Sequence, residues 1–396
     1  MNQTPTVETI LAQAGRDDSG RSRAFPADVP IGVTYARDEQ YATAGPYAYL
    51  RDQGSPGIDR VEQVLARLEG GRQAVLFSSG LAASAAAFSS LPAGSRVVVP
   101  DVMYFGLTAW LRRFGTEAGL DVVEVPTGDL EALRSAVAAA PTALVWVETP
   151  ANPTWVVTDI GAAADIAHAA GALLGVDNTV ATPVHCNPLA LGADVVMHSA
   201  TKYLNGHDDV VAGALVLPEP TSALAEHVAS GVVAARRLGG AVPGGLEVYL
   251  LTRGLRTLAV RMEAVSRTAL SVAEHFDVHP LVERVAYPGL LSDPGHEVAA
   301  KQMHGGFSGM LSLFVRGDAQ DALAVANATR VFIRATSLGG TASLIEHRFT
   351  FEGPGSRSPR NMLRISVGLE PVGDLVDDLE QALDRVLGGG EGDPRP

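Results

Sequence analysis

The sequence predicts an α/β fold: a mainly parallel central sheet with helices on both faces, followed by a smaller C-terminal α/β domain. Three observations lead there. Short apolar runs ("AVLFSSG", "RVVVPD", "ALVWVETPANP", "ALLGVDNT", "DVVMHSATK" and "VAGALVL") lack polar alternation, as strands buried on both faces do. Ala-rich or amphipathic segments of helical length separate them, the alternation that builds a parallel sheet. Polar and small residues cluster just after the runs, at Ser78-Ser79-Gly80, Asp101, Glu148, Asp177 and Ser199. In an open α/β sheet the ligand crevice lies outside the carboxyl ends of the strands, so these residues are expected around one crevice.

Taken in order, residues 1–55 are rich in Gly, Pro, Thr and Tyr without sustained periodicity, and read as an extended arm. "RVEQVLARLEGG", Arg60 to Gly71, has helical spacing and a glycine stop. It opens a sheet domain over 56–248. The segment "LEVYLLTRGLRTLAVRMEAVSRTALSVAEHF" reads as a long helix leading into a domain over 249–396, where "GMLSLFVRG" and "NMLRISVGLE" are strands and "DLVDDLEQALDRVL" is a helix. The tail "GGGEGDPRP" is expected to fray.

At 396 residues and 46% apolar composition, a large core is expected. The formal charge of −14 and the lack of any Lys/Arg run argue against nucleic-acid binding. With the single cysteine Cys186 there is no intrachain disulfide and no cysteine-based zinc site, which points to a reducing compartment. Neither a signal peptide nor an uninterrupted apolar stretch of spanning length is visible, so a cytoplasmic protein without membrane association is expected.

Of 30 basic side chains only two, Lys202 and Lys301, are lysines. An amine can lose its proton and form a Schiff base with a carbonyl, which a guanidinium cannot do. Lys202, between an apolar run and "YLNGHDD", is therefore the candidate nucleophile, whereas Lys301 in "HEVAAKQM" reads as a surface residue. Asp177 in "VDNT" follows a buried run and needs a partner, because a lone buried charge is costly. A protonated pyridine nitrogen would serve; a strand-end cap is the plainer alternative. "FSSGLAAS" offers the backbone N–H groups of Ser79, Gly80 and Leu81 to a phosphate at a helix N-terminus, or serves only close helix–sheet packing. Tyr49 and Arg51 in "PYAYLRDQGSP" suit a phosphate or a surface turn. Tyr104 in "DVMYFGLT" stacks on a flat cofactor or packs in the core. Glu148 and Asn152 lie in the rigid turn "ETPANPT". The run His207-Asp208-Asp209 lacks a second ligand cluster, so no metal is expected. Arg364, inside an apolar strand, needs an anion: a substrate carboxylate or a structural acid.

The order of these pieces says more than any one of them. "YLR…SP", "SSGLAA", "ETPANP", "VDNTVATP", "HSATKYLNGHDDVVAG", "SLGGTASLIEH" and "LRISVGLE" run from about residue 47 to 370. In this order they resemble the Cys/Met-metabolism family of pyridoxal-phosphate enzymes of fold type I, which includes cystathionine γ-synthase, cystathionine γ-lyase, methionine γ-lyase and the homoserine sulfhydrylases. The resemblance implies pyridoxal 5'-phosphate as cofactor, Lys202 as its covalent anchor and the catalytic base, and Asp177 as the partner of the ring nitrogen. It implies that Ser79, Gly80, Leu81, Ser199 and Thr201 hold the phosphate, joined by Tyr49 and Arg51 from a neighbouring subunit. Tyr104 would stack on the ring and assist proton transfer. Asn152 and Arg364 would bind the carboxylate of a small amino-acid substrate with Glu148 nearby, and Ser337 would orient Lys202 or the substrate. Shared loops imply a homo-oligomer, in this family a tetramer built as a dimer of dimers.

The implied reaction is γ-elimination or γ-replacement on a sulfur- or oxygen-substituted L-homoserine-type amino acid, the elimination giving a 2-oxo acid, ammonia and a thiol. Alternatives are γ-replacement of the cystathionine γ-synthase or O-acylhomoserine sulfhydrylase kind, β-elimination by a carbon–sulfur lyase, and a catalytically silent binding relative. Thr336 stands where cystathionine-handling members commonly carry Glu, and Ala109 where they often carry Arg. "YFGLT" and "HRFTFEGPGSRSPRN" also depart from the usual pattern. Losing both charged handles predicts a less polar distal pocket and leans toward chemistry of the methionine γ-lyase kind or a specialised γ-replacement, with a relaxed cystathionine lyase still open.

Overall fold

The computed structural model describes residues 5–16, 28–43 and 45–388. Seven strands form the first sheet: β1 (Gln73–Phe77), β2 (Arg96–Pro100), β3 (Asp121–Val125), β4 (Leu144–Glu148), β5 (Leu173–Asp177), β6 (Val195–His198) and β7 (Gly213–Leu217). Their order is β1-β7-β6-β5-β4-β2-β3, and only β7 runs against its neighbours. The reversal has a local cause. Every other strand is followed by a helical connection, but β6 returns to the sheet through the loop that carries Lys202, with no crossover helix.

Alternate residues of one strand enter different cores, which is why the runs show no polar alternation. Val97 and Val99 pack with Phe77, Phe88 and Trp146 on one face, while Val98 packs with Leu76, Val145 and Leu174 on the other. The exception, β3, is absent from the apolar runs noted above. It lies at the sheet edge, where exposed Asp121 and Glu124 interrupt its valines, so no apolar run marks it.

Five further strands, β8 (Val282–Ala286), β9 (Met310–Val315), β10 (Ile333–Arg334), β11 (Leu344–Glu346) and β12 (Met362–Ser366), make a mixed sheet ordered β10-β11-β12-β9-β8. The helices Ala319–Ala328 and Val372–Leu387 cover it through Val325, Leu375 and Leu379. Asp378 of the second helix is buried and accepts backbone N–H bonds from Arg330, Val331 and Phe332 at 2.7–3.1 Å, tying the strand approach to the helix.

Two expectations need correction. The arm is not wholly extended: Val7–Ala12 is helical, capped by Thr6 and anchored by buried Ile10 and Leu11. The long helical segment is two helices, Gly245–Leu255 and Leu258–Asp277. Arg261 from the second donates to the carbonyl of Gly254 at 2.9 Å and to that of Tyr203 at 2.8 Å, so the break braces the Lys202 loop. Among the described residues no helix is long and apolar enough to cross a membrane.

Candidate active site

A cavity of about 260 Å³ opens at the carboxyl ends of β4, β5 and β6. Its floor is the turn after β1. Ser79 caps the helix Gly80–Ser89, accepting from the Ala82 N–H at 3.0 Å, so the N–H groups of Gly80 and Leu81 are the first of that helix and take no partner within it. Two glycines allow the approach. A Cβ on Gly80 would lie 2.7 Å from Ser199 Cβ, and one on Gly213 would lie 2.2 Å from the Ser79 carbonyl oxygen.

Asp177 ends β5, in register with Glu148 on β4 and Met197 on β6. Its carboxylate accepts from the Thr179 N–H at 2.9 Å and has no ion-pair partner among the described residues; burial pushes its pKa up. Glu148 is also buried, and desolvation together with the nearby Asp177 raises its pKa to about 8. One Glu148 oxygen accepts from the Tyr104 N–H at 2.7 Å and the other from the Asn152 N–H at 2.8 Å. Glu148 thus orients two other candidates while itself lining the cavity.

Lys202 sits in a loop held at many points. Thr201 Oγ1 bonds both the N–H (3.0 Å) and the carbonyl (3.1 Å) of Ala212. Asn205 donates to Asp209 at 2.8 Å, His207 Nδ1 lies 2.7 Å from the Asn205 carbonyl oxygen, and Gly206 takes φ +70° against the Arg261 guanidinium. The His207-Asp208-Asp209 run therefore serves the loop's shape, and no acid/His/Cys group suited to a metal occurs among the described residues. The Lys202 ammonium donates to Ser337 Oγ at 2.8 Å. Burial, and then the charge of Arg364, lower its pKa to about 8. Ser337 itself holds φ +86°, a strained conformation for a residue with a side chain.

Arg364 donates to Asn152 Oδ1 at 3.2 Å and to the Ser337 carbonyl at 2.9 Å, and pairs with Glu346 at 2.5 Å. Glu346 also pairs with Arg348 at 3.1 Å, and Arg348 with Glu352 at 2.6 Å. A structural acid thus holds the arginine, which reaches the cavity wall through Asn152. Burial lowers the Arg364 pKa to about 10.

The structure therefore gathers Ser79, Gly80, Leu81, Tyr104, Glu148, Asn152, Asp177, Ser199, Thr201 and Lys202 on one wall system. Ser337 and Arg364 join through Lys202 and Asn152. Tyr49 and Arg51 do not line this cavity within the same chain: Arg51 donates to the Arg237 carbonyl at 2.9 Å and pairs with Asp52. Thr336 is exposed and lines none of it, and Ala109 lines a neighbouring chamber together with Arg112, Glu352 and Arg357. The charged side chains of Asp101, Arg112, Glu352 and Arg357 are among the residues that line that chamber. Sequence reasoning missed Thr179, Val180, Met197, Val211 and Leu338 on the cavity wall, and Glu346 behind Arg364. Thr179 was legible, two residues beyond Asp177 in a turn-forming run; the apolar ones carried no signal.

These residues fit pyridoxal phosphate. A buried carboxylate without a cation partner among the described residues, a glycine-tight helix N-terminus and a partly desolvated amine face one cavity, as a protonated ring nitrogen, a phosphate and an aldehyde require.

The family model described as Cys/Met metabolism PLP-dependent enzyme matches residues 8–384. The chain is 42% identical over 364 residues to cystathionine gamma-synthase of Mycobacterium tuberculosis strain ATCC 25618 / H37Rv, covering 90% of this chain and 92% of the relative. It is 38% identical over 392 residues to cystathionine gamma-lyase of Mus musculus, with 96% of each covered. The crystal structure of metB from Corynebacterium glutamicum superposes with a TM-score of 0.91 at 37% identity, over 96% of this chain and 98% of that one. With the match extending through both sheets and the Lys202 cavity between them, the chain belongs to the pyridoxal-phosphate-dependent enzymes of cysteine and methionine metabolism.

Proposed function

We propose that the chain acts at the γ-carbon of a sulfur- or oxygen-substituted homoserine-type amino acid, by elimination or by replacement with a thiol. The observation that carries this reading is the Lys202 ammonium, its pKa lowered to about 8, held by Ser337 in the cavity that is also lined by Asp177, a carboxylate with no ion-pair partner among the described residues. Gly80, Leu81, Ser199 and Thr201 hold the phosphate, Asp177 pairs with the ring nitrogen, and Tyr104 covers the ring face. Bound pyridoxal phosphate supplies an electron sink for charge developing next to the substrate's amino group. Arg364 and Asn152 bind the α-carboxylate, for which Arg364 exchanges part of its hold on Glu346. Lys202 Nζ, once neutral, takes the Cα proton and moves protons at the adjoining carbon; the Tyr104 hydroxyl donates to the leaving group. Tyr49 and Arg51 complete the phosphate site from a second subunit, in an oligomer with shared sites. Domains over 56–248 and 249–396 meet at this cavity, with the arm 1–55 reaching the neighbour.

The replacement branch draws support from a relative named as a synthase and the elimination branch from one named as a lyase. The experiment is product analysis of the holoenzyme with L-cystathionine, L-methionine and O-acyl-L-homoserines, with and without L-cysteine. A 2-oxo acid with four carbons, or a new thioether, is expected. Pyruvate as the sole keto acid, with no thioether formed, would mean β-elimination and overturn the proposal.

A further inference from the structure

At the carboxyl ends of β5 and β6, successive residues divide between two sides of the sheet. Asp177, Thr179, Met197 and Ser199 line the Lys202 cavity, whereas Asn178 and His198, set between them, are fully buried away from it. On the cavity side the two segments are laced through Thr179. Its hydroxyl accepts from the Ser199 N–H at 2.8 Å, and its N–H donates to Asp177 at 2.9 Å.

On the other side one carboxylate does the lacing. Glu69 is the last residue of the helix Pro56–Glu69, whose Leu65 and Leu68 share a core with Val176 and Val196. Its side chain is wholly buried. Glu69 Oε1 lies 2.9 Å from Asn178 Nδ2 and 2.6 Å from His198 Nε2. Asn178 Nδ2 also donates to the Cys186 carbonyl at 3.0 Å, which fixes the orientation of the amide and makes the Glu69 oxygen its acceptor. Burying a carboxylate and an imidazole at this depth costs more than filling the same space with apolar side chains. The cluster is therefore a poor way to stabilise a core, but a good way to fix two positions. Asn178 directly follows Asp177, and His198 directly precedes Ser199.

We propose that Glu69 is a positioning residue: through Asn178 and His198 it fixes the separation of Asp177 and Ser199, so that both ends of one pyridoxal phosphate are gripped at once. The proposal rests on the reading that puts the ring nitrogen at Asp177 and the phosphate at Ser199. A ligand held at two ends gains over its separate halves only when the two subsites stand at the right separation.

The test titrates the full-length apoprotein with three probes: pyridoxal 5'-phosphate, pyridoxal, and inorganic phosphate read by competition with the whole cofactor. Asn178→Ala should weaken pyridoxal-phosphate binding about tenfold, the loss of one hydrogen bond to a charged group. Glu69→Gln, which keeps the shape of the side chain without its charge, should weaken it about threefold. Pyridoxal and inorganic phosphate should bind both variants as they bind the unaltered chain. The double variant should lose about tenfold, not the product of about thirtyfold, because both changes act on one link. Melting curves of each apoprotein report whether it is folded, and Glu69→Gln keeps the test readable should Asn178→Ala fail to fold. Weakening of either half-probe as much as of the whole cofactor places the damage inside a subsite and overturns the proposal. Unchanged pyridoxal-phosphate binding, or effects that multiply in the double variant, overturns it as well. Inorganic phosphate that does not compete in the unaltered chain, or an Asp177→Asn variant that binds the cofactor undiminished, overturns the reading of the Lys202 cavity and this proposal with it.

Discussion

The two lysines of this chain occupy opposite environments. Lys202 lies in a cavity, donates to Ser337 at 2.8 Å, and has its pKa lowered to about 8 by burial and by Arg364. Lys301 stands on the helix His296–Gln302 with 78% of its side chain exposed, and its nearest acid, Asp159, is 3.8 Å away. The side chain is the same, yet only the Lys202 amine is buried beside a guanidinium, and both burial and that charge disfavour its ammonium form.

Breaking the buried site should have the largest consequence. Lys202→Ala should lower turnover by roughly 10²–10⁴-fold and abolish borohydride fixation of the cofactor, as measured by mass spectrometry of the labelled peptide. Labelling that persists in this variant would move the anchor elsewhere. Next, Asp177→Asn should weaken pyridoxal-phosphate binding by about 3 kcal/mol, read from titration of the apoprotein. The same variant sharpens the electrostatic argument through stability. A carboxylic acid whose folded pKa is raised binds its proton more tightly folded than unfolded, so the apoprotein loses stability as pH rises from the unfolded carboxylate pKa through the folded one. Asp177→Asn should flatten that slope in apoprotein melts; an unchanged slope would show that Asp177 is ionised without penalty.

A smaller effect probes the lysine directly. The apoprotein should capture pyridoxal phosphate faster as pH rises through about 8, since only the unprotonated Nζ attacks the aldehyde. The rate should level off above that pH, and one that keeps climbing beyond about 9 would contradict the lowered value. Finally, Lys301→Met should leave turnover and cofactor binding unchanged and shift stability by no more than about 0.5 kcal/mol in a denaturant titration. A larger loss would give that lysine a role its surroundings do not suggest.

Much of the buried site was legible because its residues follow β-rich runs. Asp177, Glu148 and Ser199 each come at or just after a strand end, and strand ends of a parallel sheet converge. What hid was whatever depended on long-range placement. β3 was masked by its edge position, and the break between Leu255 and Leu258 by apolar periodicity that continues across it. Glu148 reads in sequence as a substrate contact; the fold makes it the acceptor for Tyr104 and Asn152. Ala109 and Thr336 read as two lost handles of one pocket, but Ala109 faces the second chamber and Thr336 lies on the surface.

The sequence by itself determined the α/β class, the crevice-forming strand ends and the singular chemistry of Lys202, because those follow from residue type and local period. Only the tertiary structure decided which neighbours each charge would have. Arg364 meets Glu346, Arg112 and Arg357 meet over Glu124, and Lys202 meets Ser337, all across long stretches of chain. A pKa or a binding preference is set by distance and burial, and these come from packing, not from order along the chain.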